Sequence, residues 1–393
     1  MRYNTTAFAM TAAAVLFACC SHSEINLIVG TYTGSGSAGI YNFCFDTRKG
    51  MVIGNEATDS VYIQNPSYLV PARNGEMIYA VSEMPDSTAS VYTVSFDRKG
   101  GQFNIISRQL TQGEDPCYVS TDGNIALTAN YSGGSMSIFP VSEDGEILPL
   151  AGLVNGHTGG PDSTRQATPH IHCAALSPNG KYVYATDFSA DKVLRIDASA
   201  LEAIAYAQRN NSSGNKGNDA SRSKASTYGL DITEIKLPDD FGPRHIVITK
   251  DGSTAYVIGE LSGAVSVIWC DSDRPEVVQT IQADPVHARG SADIRLSPDE
   301  RFLYASNRLS NDGIAIFAVG KDRKLEYRGY TETGRHPRNF RITPDGKYLL
   351  VACRDDDSIQ IYSRDSKTGL LHDTGGRIHV SRPVCIEFIP KVK

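Results

Sequence analysis

One phrase recurs along most of this chain: a marker proline, a short apolar run, a turn made of Pro, Asn, Asp or Gly, and a second apolar run. Copies open at Asn65-Pro66-Ser67-Tyr68, Asp115-Pro116-Cys117-Tyr118, Thr168-Pro169-His170-Ile171, Gly242-Pro243-Arg244-His245, His336-Pro337-Arg338-Asn339 and Arg382-Pro383-Val384-Cys385, with a degenerate copy near Ser291-Ala292-Asp293. The markers fall about 50 residues apart, except that Pro169 and Pro243 stand 243 − 169 = 74 residues apart around an insertion and the interval from Pro243 to Pro337 holds two units. A period of that length means stacked or radially arranged supersecondary units, each unable to bury its apolar face alone. Within the units, Ser177-Pro178-Asn179-Gly180, Lys250-Asp251-Gly252, Ser297-Pro298-Asp299 and Thr343-Pro344-Asp345-Gly346 carry the residues that set hairpin-turn backbone angles.

The runs themselves, such as Tyr182-Val183-Tyr184-Ala185-Thr186 and Ala255-Tyr256-Val257-Ile258-Gly259, are β-branched and aromatic and end at turn residues, so they read as strands. No helical period competes. A pitch near 50 residues predicts an all-β, seven-bladed propeller of four-stranded antiparallel blades. Six phrases are complete, and the one at Pro383 runs out of chain after a single strand. The strands around Leu27-Ile28-Val29-Gly30-Thr31-Tyr32 and Gly39-Ile40-Tyr41-Asn42-Phe43 lack an opening strand, so the N- and C-terminal strands are expected to share one blade. The stretch 205–229, rich in Ser, Asn, Gly, Arg and Lys, reads as a surface loop or disordered insertion in a single domain spanning 27–393.

The first residues differ from the rest. Arg2 precedes an uncharged apolar run from Ala7 to Ala18, shorter than a bilayer span and followed at once by polar residues, as in a signal peptide. Leu16-Phe17-Ala18-Cys19 resembles a bacterial lipobox, which implies removal of 1–18, lipidation at Cys19, a linker over 19–26 and an exported lipoprotein facing the periplasm or held at the cell envelope. With 38 basic and 44 acidic residues scattered along the chain, there is no electrostatic footprint for nucleic acid; the expected partners are a small molecule and, through the anchor, a membrane, with the protein a monomer or weak dimer. Cys117, Cys173, Cys270, Cys353 and Cys385 fall far apart inside apolar runs and read as buried free thiols, and no CxxC pair suggests structural zinc.

In a propeller the innermost strands line an axial channel, and polar residues near its mouth are site candidates. Polar and charged groups recur at two blade positions: just after the marker proline, as His170, His172, Arg244, His245 and Arg338, and at the end of the next strand, where Asn130, Glu260, Asn307 and Arg308 stand. Interblade salt bridges would also explain them. His170 and His172 share a strand face and could meet one ion, but no third ligand follows at a suitable spacing, so no metal and no cofactor are expected.

Gly242-Pro243-Arg244-His245 followed by Gly259-Glu260-Leu261, with His172-Cys173-Ala174-Ala175-Leu176-Ser177-Pro178, Ser306-Asn307-Arg308 and His336-Pro337-Arg338-Asn339-Phe340, resembles the lactonase family of 6-phosphogluconolactonases and carboxymuconate lactonizing enzymes. The resemblance runs from about Leu27 to Pro390. It implies a metal-independent hydrolase that opens a sugar lactone, with His172, Arg244, Glu260 and Arg308 as catalytic residues and His170, His245, Arg338, Asn130 and Asn307 around the substrate. Either Glu260 or His172 would be the general base, with Arg244 and Arg308 on the substrate's anionic group and the developing oxyanion. Glu260→Gln is expected to abolish turnover with little effect on folding. A non-catalytic envelope propeller that binds a glycan or protein, and a muconate-type cycloisomerase, are the alternatives.

Overall fold

A computed structural model describes residues 23–34, 36–54, 56–213 and 229–390. The apolar run expected to be a signal peptide and Cys19, the expected lipidation site, lie outside the described residues. The described chain forms seven antiparallel sheets. Six are four-stranded blades formed by consecutive segments, 69–110, 116–155, 171–236, 243–282, 294–332 and 337–379, here called blades 1 to 6. The seventh pairs Pro383–Phe388 with Glu24–Thr31, which in turn pairs Gly39–Asp46, so the two chain ends close the ring as the sequence predicts. This closing blade departs from four strands, because the outer edge of Gly39–Asp46 is shared by two short strands, Met51–Val52 and Asp59–Tyr62.

Each phrase maps onto one blade. The marker proline starts the innermost strand in blades 2, 4 and 6 and in the closing blade, where it costs little because the first residue of a strand need not donate. The innermost and second strands are covered on both sides by neighbouring blades and are therefore almost wholly buried; Tyr182–Asp187 and Thr254–Gly259 are examples. The outermost strands alternate, as Phe103–Leu110 does, with one side facing water. The hairpin turns close as expected: Ser177 N donates to Tyr182 O at 2.8 Å across a turn in which Gly180 takes φ +72°.

The tyrosines that follow these turns staple the blades together. Tyr79 Oη donates to Gly145 O, Tyr256 to Arg323 O, Tyr304 to Gly369 O and Tyr348 to Arg48 O, each reaching the outer turn of the next blade around the ring. Between the closing blade and blade 1 the approach is closer still: a Cβ on Gly30 would lie 2.3 Å from the backbone oxygen of Pro66.

The reading of 205–229 as loop needs correction. Ala198–Ser213 is an α-helix, the only one among the described residues, begun by Asp197, whose Oδ1 accepts from Ser199 N at 2.8 Å. Ala198, Leu201 and Ala205 bury one stripe against blades 2 and 3. Taking the insertion to start at Ala205 cut this amphipathic pattern in half. Residues 214–228 lie outside the described residues.

Tyr304→Phe should lower the free energy of unfolding by about 1–3 kcal/mol in urea denaturation, because the Gly369 carbonyl and Arg364 Nε, 3.0 Å from the same hydroxyl, both lose a buried partner.

Candidate active site

The two fixed blade positions bring ionisable side chains to one mouth of the channel. Arg244, near the start of the innermost strand of blade 4, is 2% exposed, and its Nε donates to Glu260 Oε2 at 2.9 Å. Glu260 follows the end of the second strand of the same blade, diagonal to Arg244 across a hairpin in which Pro243 faces Gly259. Arg308, at the corresponding end in blade 5, comes within 3.3 Å of Glu260 Oε2. A third guanidinium completes the cluster, with Arg165 Nη2 at 2.8 Å from Glu260 Oε1.

Glu260 is thus one buried carboxylate among three cations. Burial alone would raise its pKa, but Arg308, Arg244 and Arg165 outweigh it and pull the value down to about 2. Burial and the neighbouring arginines push Arg308 down to about 9, against the pull of Glu260, so it stays charged at neutral pH. As a base Glu260 is therefore weak: taking a proton would forfeit several charge-assisted hydrogen bonds.

His172 lies on the innermost strand of blade 3, within the same field. Its ring centroid is 5.5 Å from that of His245 and 5.3 Å from Tyr131, and Nδ1 is 3.6 Å from Cys117 Sγ. Burial first, then Arg244, His245 and Arg338, hold its pKa well below the usual histidine value, so the imidazole is neutral at pH 7. The Cys117 thiol is pushed far up by burial and is no nucleophile.

The remaining candidates divide. Arg338 sits beside the cluster, over the Tyr32 ring and 3.9 Å from Glu83 Oε2, while Tyr32 Oη donates to Glu83 at 2.9 Å. His170 stacks on Tyr131 at 4.1 Å with its Nδ1 held by Tyr131 O, half-buried at the rim. His245 is clamped between Arg244 Nη1 at 3.2 Å and Asp293 Oδ1 at 2.8 Å, behind the arginine rather than in front of it. Asn130 and Asn307 belong to the frame: Asn130 Nδ2 donates to Ser135 and Ser137, and Asn307 donates to Ala283 O while accepting from Ser291. Both are fully buried with their amides already engaged, so a substrate would find little there.

Sequence reasoning missed Arg165. It comes from the connection between blades 2 and 3, at no repeating position, and its guanidinium also reaches Tyr131 Oη at 3.2 Å. Arg289 ties this connection down, bonding Asp162 Oδ2 at 2.6 Å and, in two-point fashion, Asp240. The only sequence signal was a basic residue in a Gly- and Pro-rich connection.

A cavity of about 1080 Å³ opens at the other mouth, lined by Ile25, Leu296, Phe388, Arg295 and Arg341 among others. Its size does not make it the reactive centre. Two of its three lining arginines are paired with buried carboxylates, Arg295 with Asp293 and Arg341 with Glu387, and none of His172, Arg244, Glu260 or Arg308 lines it.

The family model for the Lactonase, 7-bladed beta-propeller matches residues 26–388. The chain belongs to this lactonase family. It is 31% identical to the 6-phosphogluconolactonase of Bacillus subtilis over 376 residues, covering 93% of this chain and 98% of the relative. A solved structure from Bacteroides uniformis is 47% identical, covers 93% of this chain and 100% of its own, and superposes with a TM-score of 0.83. The periplasmic gluconolactonase of Pseudomonas aeruginosa is 29% identical, with 94% and 99% coverage and a TM-score of 0.81.

These contacts revise the expectation for Glu260→Gln. Neutralising the carboxylate leaves three guanidiniums facing one another, so the variant should be destabilised as well as impaired. The folded pKa of about 2 lies below the ordinary 4.5, so the charge contributes stability above pH 4.5 that is lost as pH falls toward 2. Glu260→Gln should be less stable at pH 7 by about 3 kcal/mol, and the gap to the unaltered protein should narrow between pH 4.5 and 2 in denaturant titrations.

Proposed function

We propose that this protein is an exported, lipid-anchored hydrolase that opens a sugar lactone at the mouth formed by His172, Arg244, Glu260 and Arg308. The observation that carries the reading is the convergence of a neutral imidazole with fixed, charged guanidiniums around one buried carboxylate. Family membership and the names of relatives support the lactone substrate. The lipobox at Cys19, the periplasmic relative acting on gluconolactone and the cytoplasmic character of sugar phosphates favour an unphosphorylated lactone.

Of the two candidate bases, His172 fits better than Glu260. Its Nδ1 faces Cys117, which leaves Nε2 for water, and as a neutral imidazole it can take a proton without breaking an ion pair. In the proposed step the water oxygen bonds to the lactone carbonyl carbon while Nε2 takes the water proton. The tetrahedral oxyanion develops against the N–H groups of Arg244 and Arg308. The carbonyl carbon–ring oxygen bond then breaks, and His172 returns the proton to the ring oxygen, giving the open hydroxy acid. Glu260 balances the guanidiniums and sets their spacing. His170 and His172 have separate ring partners, Tyr131 O and Cys117, and the proposed chemistry requires no metal.

Two outcomes test this. In a pH-stat assay, purified mature protein should release acid from glucono-δ-lactone at a rate unchanged by EDTA, and His172→Asn should lower kcat at least a hundredfold with near-normal melting. Full activity in His172→Asn, or loss of activity with EDTA, would contradict the mechanism.

A further inference from the structure

We infer that His245 and His336 are positioning residues, each fixing one substrate-facing guanidinium through the lone pair of its Nε2. This rests on the reading of Arg244 and Arg308 as lactone-binding groups and adds the residues that aim them.

A guanidinium carries only donors, so an imidazole nitrogen beside it must be an acceptor. Arg244 directs Nε to Glu260 Oε2 and Nη1 to Ala292 O at 2.7 Å, and Nη1 also lies 3.2 Å from His245 Nε2. That leaves Nη2 for a ligand. Arg308 is held in the same manner from a different direction: Nε donates to Gly290 O at 2.6 Å, and Nη1 lies 3.2 Å from His336 Nε2. The two pairs arise differently in the chain. His245 is the next residue after its arginine, whereas His336 comes from the start of blade 6 to reach an arginine of blade 5.

Each imidazole has a carboxylate behind it. Asp293 Oδ1 is 2.8 Å from His245 Nδ1, and Asp355 Oδ2 is 3.5 Å from His336 Nδ1. A proton on Nδ1 faces the carboxylate and leaves Nε2 bare toward the arginine. The opposite tautomer would set N–H against N–H. Both rings are also held neutral: burial and Arg244 push His245 down to about 4, and burial with Arg308, Arg354 and Arg338 pushes His336 to about 3.

Two measurements test the inference. Long-range ¹⁵N–¹H correlation spectra of histidine-labelled protein at pH 7 should show His245 and His336 protonated at Nδ1 only; protonation at Nε2 in either overturns the assignment. In steady-state kinetics and calorimetry, His336→Leu should raise KM for glucono-δ-lactone and Kd for gluconate at least tenfold. His336→Gln, whose carboxamide oxygen can accept from Arg308, should restore both to within threefold of the unaltered protein at a similar melting temperature. Equal binding by all three proteins, or equal loss in both variants in step with melting temperature, overturns the positioning role. If the unaltered protein neither hydrolyses the lactone nor binds gluconate, the functional reading fails instead, and the tautomers still report on the arginine–histidine contacts.

Discussion

The carboxylate of Asp293 is the charge on which both the ring and its reactive mouth depend. It is 1% exposed in the interior of the channel, where an uncompensated anion would be prohibitively costly. Five donors compensate it: His245 Nδ1, Arg295 Nε, Asn339 Nδ2 and the backbone N–H groups of Ile294 and Phe340. These belong to blades 4, 5 and 6. Asn339 then accepts from Ile386 N of the closing strand at 2.8 Å, so one hydrogen-bonded chain runs from the ring closure through Asp293 and His245 to Arg244. Rigidity needed for an assembled wheel is thereby delivered to Arg244, the residue proposed to face substrate. Asp293 stands in the degenerate copy of the phrase, which lacks the marker proline, and its carboxylate binds three blades together.

The mouth of the channel follows a second rule, that like charges gather only around an opposite one. Arg165, Arg244 and Arg308 converge because Glu260 sits among them, and the cluster keeps net positive charge for an anionic group or a developing oxyanion. The same bonds take Glu260 out of proton transfer. In the proposed chemistry Glu260 is the counter-charge that organises the site rather than the base, and the neutral His172 supplies the lone pair.

Blade number and ring closure were legible in the sequence because each depends on a local phrase repeated at fixed spacing, whereas the gathering of His172, Arg244, Glu260 and Arg308 followed from the resemblance to the lactonase family. Pro and Gly mark the turns, and the two-residue alternation of strands fixes which side chains share a face. What was not legible depends on connections without period. Arg165 arrives on the link between blades 2 and 3, tied down by Arg289, and no pattern marks it. Asn130, Asp187 and Asn307 end their strands at the position of Gly259, one residue before that of Glu260 and Arg308, so the two-residue alternation turns the asparagine amides into the frame, where they bond serines. His245 follows Arg244 directly in an innermost strand, but a bulge between Pro243 and Ile246 breaks the alternation and lets both reach one another. The helix Ala198–Ser213 was hidden by a boundary drawn inside it.

In the proposed chemistry the lactone ring opens among the guanidiniums and imidazole of one channel mouth. A crystal structure of the protein with bound gluconate, the hydrolysis product, tests it most directly. The carboxylate should bond Arg244 Nη2 and Arg308, with a water or product hydroxyl within about 3 Å of His172 Nε2. Product seated instead in the cavity lined by Arg295 and Arg341, with the Glu260 cluster untouched, would contradict the account.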